Sequence, residues 1–219
     1  MEHIGDRRGC MNNKMLGILR NVYFLKYRLI KKNMTPCIIS RDCIGGVLYK
    51  RMRRQFSSPT IKLYMTNEDF VLFCLNITDF LNGSVEEIHT DRSYPVGQIK
   101  TEKGSIKLYF MHYNSFSSAK DSWERRKKRI NLDNIVVILN AESNVDKNII
   151  EQFEKIPYRK VLLTSNAKES ECVKNLKCYE RGYDGPLVAY KSRTLPIVRY
   201  MDEFDWIGFL KNTDQFSVF

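Results

Sequence analysis

Over residues 14–32 apolar side chains recur at Leu16, Leu19, Tyr23, Tyr27 and Ile30, steps of three and four that place them on one side of a helix. Lys14, Arg20, Lys26, Arg28, Lys31 and Lys32 complement them. Short apolar runs then alternate with helical patterns. Residues 36–40 (PCIIS) predict a buried strand, 45–55 a helix and 60–64 (TIKLY) a second strand. Thr66 before Asn67-Glu68-Asp69 marks the start of a helix running to about residue 81, with Asn82-Gly83 as a left-handed stop. Residues 84–104 are turn-rich, with short strands around 94–97 and a turn at Glu102-Lys103-Gly104. Beyond them lie a strand over 105–113, a charged helix over 117–130, a buried strand over 134–139, a helix over 145–156, a strand over 160–164 and a closing helix over 204–211.

Strands separated by helices predict an α/β fold, a mostly parallel or mixed sheet flanked by helices in a Rossmann-like three-layer arrangement. Residues 1–13 are polar and carry Gly5 and Gly9, which reads as a flexible tail. Residues 14–219 read as a single α/β domain with a basic N-terminal helix over 14–32.

Charge widens the picture. Lysine and arginine number 36 against 25 acidic residues, a net of +11 over 219 residues, which favours anionic partners. Nucleic acid has only that charge and aromatics such as Tyr49, Phe56 and Tyr64 behind it, with no recognised motif. The helix over 14–32 is too interrupted for the roughly 20 apolar residues of a membrane span. It suits either packing on the domain or peripheral contact with an anionic membrane face. Six cysteines without CxxC spacing, three scattered histidines and no signal peptide point to reduced thiols in the cytoplasm and away from structural zinc. Asp202-Glu203-Phe204-Asp205 is the nearest approach to a metal-binding carboxylate pair and a poor one, so neither metal nor cofactor is expected.

Chemistry concentrates in three places. The turn Ser40-Arg41-Asp42-Cys43-Ile44-Gly45-Gly46 follows a strand and opens a helix, where backbone N–H groups and the helix dipole suit an anion and Gly45 and Gly46 admit one closely; a plain tight turn is the alternative. Cys43 in that turn is a candidate nucleophile, its thiol expected to be acidified by the helix N-terminus, and His112 at another strand end is the candidate base. His112 also suits a lone acid/base role or a structural one. In the charged helix Phe116, Ala119, Trp123, Arg126 and Ile130 share one face, so Arg126 points inward and needs an anion: a protein carboxylate (Asp42, Asp133 or Asp205) or a ligand phosphate. The third place, Lys50-Arg51-Met52-Arg53-Arg54, is a basic helix end followed by Ser57, Ser58 and Pro59.

Together CIISRDCIGGVLYK (37–50), SSPTIKLYMTNEDFVLF (57–73), YPVG (94–97), LYFMHY (108–113) and SSAKDSWERRKKRIN (117–131) resemble a bacterial domain family commonly labelled exopolysaccharide biosynthesis protein. The resemblance spans about residues 22–211. It carries over to Cys43, Gly45, Gly46, Ser58, Pro59, His112, Tyr113, Trp123, Arg126, Arg129 and Asn131, and departs from the family pattern at Arg41-Asp42 and Ile44. It implies an α/β protein of capsule or exopolysaccharide assembly. The expected role is a transferase or accessory enzyme that binds a phosphorylated or nucleotide-linked sugar, with His112 and Cys43 catalytic and Gly45, Gly46, Ser58, Arg126, Arg129 and Asn131 binding the substrate anion. A non-catalytic scaffold of the same machinery is the alternative.

Overall fold

The computed structural model describes residues 13–141, 145–164, 178–180, 185–192 and 195–211. The chain enters through α1 (Asn13–Tyr23) and 3-10 turns at Leu25–Leu29 and Lys32–Met34, then forms β1 (Cys37–Ser40) and α2 (Ile44–Met52). A loop leads to α3 (Asn67–Leu75), α4 (Ile77–Asn82) and the strands β2 (Glu86–Ile88), β3 (Val96–Thr101) and β4 (Gly104–Tyr109). Then come α5 (Phe116–Lys127), β5 (Ile135–Asn140), α6 (Lys147–Glu154), β6 (Arg159–Thr164) and β7 (Cys178–Glu180), and α7 (Trp206–Lys211) follows a 3-10 turn at Tyr200–Glu203.

Strands β1, β5, β6 and β7 pair in that order as a parallel sheet, while β2, β3 and β4 form an antiparallel meander. Every residue of β5 is buried, the signature of a parallel strand covered on both faces. Alternation along the strands divides the core. Ile39, Val137, Leu139 and Leu162 join Phe70, Phe73, Phe80, Trp123 and Phe153, from α3, α4, α5 and α6. Ile38, Val136, Ile138, Val161 and Leu163 join Leu48, Tyr49, Trp206 and Phe209, from α2 and α7. Two helical layers around a parallel sheet make the α/β architecture. Each large apolar side chain so buried contributes roughly 1.5–3 kcal/mol.

Several expected elements change for identifiable reasons. Residues 60–64 form no ladder; Tyr64 makes a lone antiparallel bridge to Tyr109, and Lys62 turns the chain at φ 68°. Side-chain oxygens compete here with strand pairing: Ser58 Oγ accepts the Thr60 N–H at 3.3 Å, and Thr60 Oγ1 accepts the Ser40 N–H at 3.2 Å. With Tyr49 OH accepting the Ile38 N–H at 3.0 Å, these oxygens close the outer edge of β1. The helix over 67–81 breaks at Asn76, whose Nδ2 donates to Leu72 O at 3.1 Å. Gly83 is extended (φ −70°, ψ 156°), not left-handed; a Cβ there would lie 2.5 Å from Ile99 Cγ2, so close packing on β3 explains the glycine. The N-terminal helix stops at Tyr23, and the 3-10 turn after it docks Tyr27 into the core. The expected tail over 1–13 lies almost wholly outside the described residues.

Burial pushes the Cys37 thiol from its ordinary 9.0 up to about 12, hydrogen bonds pulling back only in part. It lifts the Tyr27 hydroxyl from 10.0 to about 12, against the nearby Arg51 charge. Both groups stay protonated in the fold at a pH where the unfolded chain has lost those protons. Their stabilisation is therefore complete below about pH 9 and is lost as pH climbs toward 12. Urea midpoints should fall across this window, and Cys37→Ala should flatten the slope; an unchanged slope in that variant would remove Cys37 from the account.

Candidate active site

At the carboxyl end of β1 the chain turns through Arg41-Asp42-Cys43 into α2. The turn is bound up internally. Ser40 Oγ donates to Asp42 O at 2.8 Å and accepts the Gly45 N–H at 3.1 Å. One Asp42 oxygen accepts the Ile44 N–H at 3.0 Å, and the other accepts Asn140 Nδ2 at 2.7 Å from the carboxyl end of β5. Arg41, buried, donates to Asn67 Oδ1 at 2.5 Å and lies 5.0 Å from the Tyr64 ring centroid.

Cys43 stands just before α2, half-buried. β4 ends at Tyr109, earlier than the run over 105–113 predicts, and residues 110–113 fold into a turn closed by Tyr113 N–H donating to Phe110 O at 3.0 Å. That turn presents His112, whose Nε2 lies 3.1 Å from Cys43 Sγ. Burial first, and then the Asp42 charge, raise the Cys43 thiol above its ordinary value; Lys50 and Arg199 pull it down less strongly. The expected acidified thiol is thus reversed: burial and the Asp42 charge disfavour the thiolate at Cys43.

Gly45 is explained by packing. A Cβ would fall 2.6 Å from Ser40 Oγ, 3.2 Å from Ile61 Cδ1 and 3.3 Å from Ile38 Cγ2, so α2 seats on β1 because nothing projects there. Gly45→Ala should cost about 1–3 kcal/mol, measured from urea midpoints, by wedging α2 off the sheet. Gly46→Ala meets only Ile61 Cγ2 at 3.4 Å and should be nearly silent, so equal losses would contradict this reading. The Gly45 N–H is spent on Ser40, and the Asp42 carboxylate sits at the helix N-terminus where an anion would bind.

The remaining expected residues lie on a neighbouring clamp. Arg126, buried, donates to Ile61 O at 2.7 Å and to Tyr113 OH at 2.9 Å, with its guanidinium 5.5 Å from the Phe56 ring centroid. No carboxylate among the described residues pairs with it: Asp42 holds Ile44 and Asn140, Asp205 accepts the Ile207 and Gly208 N–H groups of α7, and the Asn131 side chain accepts the Asp133 N–H. Arg129 donates to Phe56 O at 3.2 Å, so the two arginines together hold the loop over 56–61. Ser58 is fully buried against Thr60, and Asn131 is exposed. The structure therefore brings Cys43, His112 and Gly45 together. Arg126 joins them through Tyr113, which neighbours His112.

Reasoning from sequence left Asn140 and Arg199 unnamed and read Lys50 only as part of a basic helix end. Asn140 directly follows the strand predicted over 134–139, so its place at a strand's carboxyl end was recognisable. Lys50 lies seven residues after Cys43, two helical turns along the same face. Arg199 carried no local signal. The acidic stretch at 202–205 is engaged elsewhere, with Asp202 bound to Arg51 and Glu203 to Lys191. Among the described residues no group of three or more His, Cys, Asp or Glu could hold a metal ion, and no helix is long and apolar enough to cross a membrane.

An uncharacterised protein of Haemophilus influenzae (strain Rd) is 30% identical to the chain over 148 residues, covering 66% of this chain and 70% of its own length. The family model for a domain of unknown function, DUF1919, matches residues 13–213, which takes in β1, the Cys43 turn, His112 and the arginine clamp. Neither name carries a polysaccharide role. What the match establishes is membership: the chain belongs to the DUF1919 family.

Proposed function

We propose that this protein is a transferase of surface-polysaccharide assembly that acts on a phosphorylated or nucleotide-linked sugar, with Cys43 as nucleophile and His112 as its base. The observation that supports this reading is the 3.1 Å separation of Sγ, just beyond the carboxyl end of β1, and Nε2, in the turn after β4; the carboxyl ends of strands are where open α/β sheets collect ligands. A cysteine with a hydrogen-bonded base suits acyl transfer. Sγ attacks the carbonyl carbon of an activated ester or thioester while Nε2 takes the thiol proton. The C–S bond forms, the bond to the leaving group breaks, and the imidazolium returns its proton to that group. A sugar hydroxyl then yields its proton to Nε2 and attacks the thioester; the C–O bond forms and the departing sulfur is reprotonated. Lys50, exposed and two turns from Cys43, supplies positive charge toward a phosphate. The surface-polysaccharide setting rests on the resemblance in sequence.

Incubation with p-nitrophenyl acetate and with an acyl thioester, read by intact and peptide mass, should show one acyl group on Cys43 that is discharged by nucleotide sugars. Cys43→Ser should show no thioester. Acylation of Cys43→Ser to the same extent, or of other sites only, would rule out the mechanism. A second reading, a non-catalytic binding protein of the same machinery, is favoured by the internal partners of Arg126 and Gly45. Thermal stabilisation by nucleotide sugars with no acylation by any donor would select it.

A further inference from the structure

We propose that α1 and the 3-10 turn after it dock the protein on an anionic lipid bilayer through a stripe of outward-facing apolar side chains. The segment is apolar on two sides. One side, with Leu16, Tyr27 and Ile30, is buried in the body. The exposed surface carries Met15, Ile18 and Val22 at steps of three and four along α1, then Leu25 and Leu29 from the 3-10 turn, with exposures of 48, 63, 66, 52 and 70%. Isolated apolar residues on a surface need no explanation, whereas a contiguous row rimmed by charge marks an interaction site.

The row is held outward by its anchors. Arg20 Nε donates to Pro196 O at 3.0 Å and its guanidinium lies 4.6 Å from the Tyr190 ring centroid. Arg54 donates to Ile30 O at 2.9 Å, and Arg53 to Asn21 Oδ1 at 3.3 Å. With those contacts made, the segment turns its second stripe away from the fold.

Charge selects the occupant. Residues 13–33 hold six cations (Lys14, Arg20, Lys26, Arg28, Lys31, Lys32) and no carboxylate. Lys14, Lys26, Lys31 and Lys32 are exposed on the same segment, and Arg53, just after α2, adds a fifth exposed cation. A second copy would bring the same six cations to the contact. An anionic headgroup layer neutralises it while the acyl boundary receives the apolar row, the arrangement of an interfacial helix. This inference is independent of the Cys43 chemistry.

The test is flotation of the full chain with vesicles of phosphatidylcholine alone and of phosphatidylcholine with phosphatidylglycerol. The wild type should float only with the anionic vesicles, and less as salt rises. Ile18→Glu with Val22→Glu and Leu29→Glu should abolish binding, and Lys26→Gln with Lys31→Gln and Lys32→Gln should weaken it about fivefold per lysine. All these positions are exposed, so melting temperatures should match the wild type and isolate the surface effect. Equal flotation of wild type and the glutamate variant would overturn the proposal. So would a wild type that ignores anionic vesicles yet forms a dimer, by light scattering, that the glutamate variant dissolves.

Discussion

Replacing His112 with asparagine should slow the proposed acylation of Cys43 by about 10²–10⁴-fold, the range a positioned base contributes. The reason lies in the resting state of the sulfur. Burial and the Asp42 charge favour the thiol at Cys43, so on the proposed mechanism acylation near neutral pH should depend on Nε2 removing the proton from 3.1 Å away. Without that base the rate must wait for spontaneous ionisation and should climb steadily with pH through the ordinary thiol value of 9.0. The wild type should instead react rapidly near neutral pH, where the variant is slow. His112 is exposed, so the variant should fold normally, and circular dichroism with a melting curve checks this. Stopped-flow release of p-nitrophenol gives both pH profiles. Identical profiles for the two proteins would return His112 to a structural role.

Asp202→Ala should lower stability by about 3–5 kcal/mol, the loss expected when one member of a buried ion pair is removed. Arg51 and Asp202 form that pair with side chains only 4% exposed each. Arg51 Nη2 donates to the carboxylate at 2.9 Å and Nη1 to Tyr27 OH at 3.3 Å, while the guanidinium lies 4.0 Å from the Phe24 ring centroid. The carboxylate also accepts the Arg199 N–H at 2.7 Å. One contact thus ties together the 3-10 turn after α1, helix α2 and the 3-10 turn before α7. Removing the carboxylate strands a guanidinium beside the Phe24 and Tyr27 rings. Arg51→Met combined with Asp202→Leu should recover most of the loss, because no buried charge then remains. Urea unfolding of the three variants decides: a loss below about 1 kcal/mol in Asp202→Ala would show that water reaches Arg51.

The same contrast between types and partners runs through the candidate site. Arg126 was legible as inward-facing from the spacing of Ala119, Trp123 and Ile130 around it. Its partners were not, because Ile61 and Tyr113 belong to loops 65 and 13 residues away whose paths depend on packing. Cys43 and His112 were legible as a thiol and an imidazole at strand ends. Their contact depends on a turn at 110–113 that Arg126 helps hold through Tyr113. Gly45 was legible as a residue needing close approach, and what approaches it proved to be Ser40, Ile61 and Ile38.

By itself the order of side chains determined the α/β class, the buried strands β1 and β5, the strand β6, the helix starts at Thr66 and in α5, and the chemical types at the carboxyl edge. Those properties are local: continuous apolar runs, periods of 3.6 and capping groups act within a few residues. Tertiary structure alone decided that residues 60–64 leave the sheet, that β7 joins it, that Arg126 bonds to a carbonyl and a hydroxyl, and that Sγ and Nε2 meet. Each outcome is a competition among distant groups for the same buried space or hydrogen bond. The winner depends on where the rest of the chain has already packed.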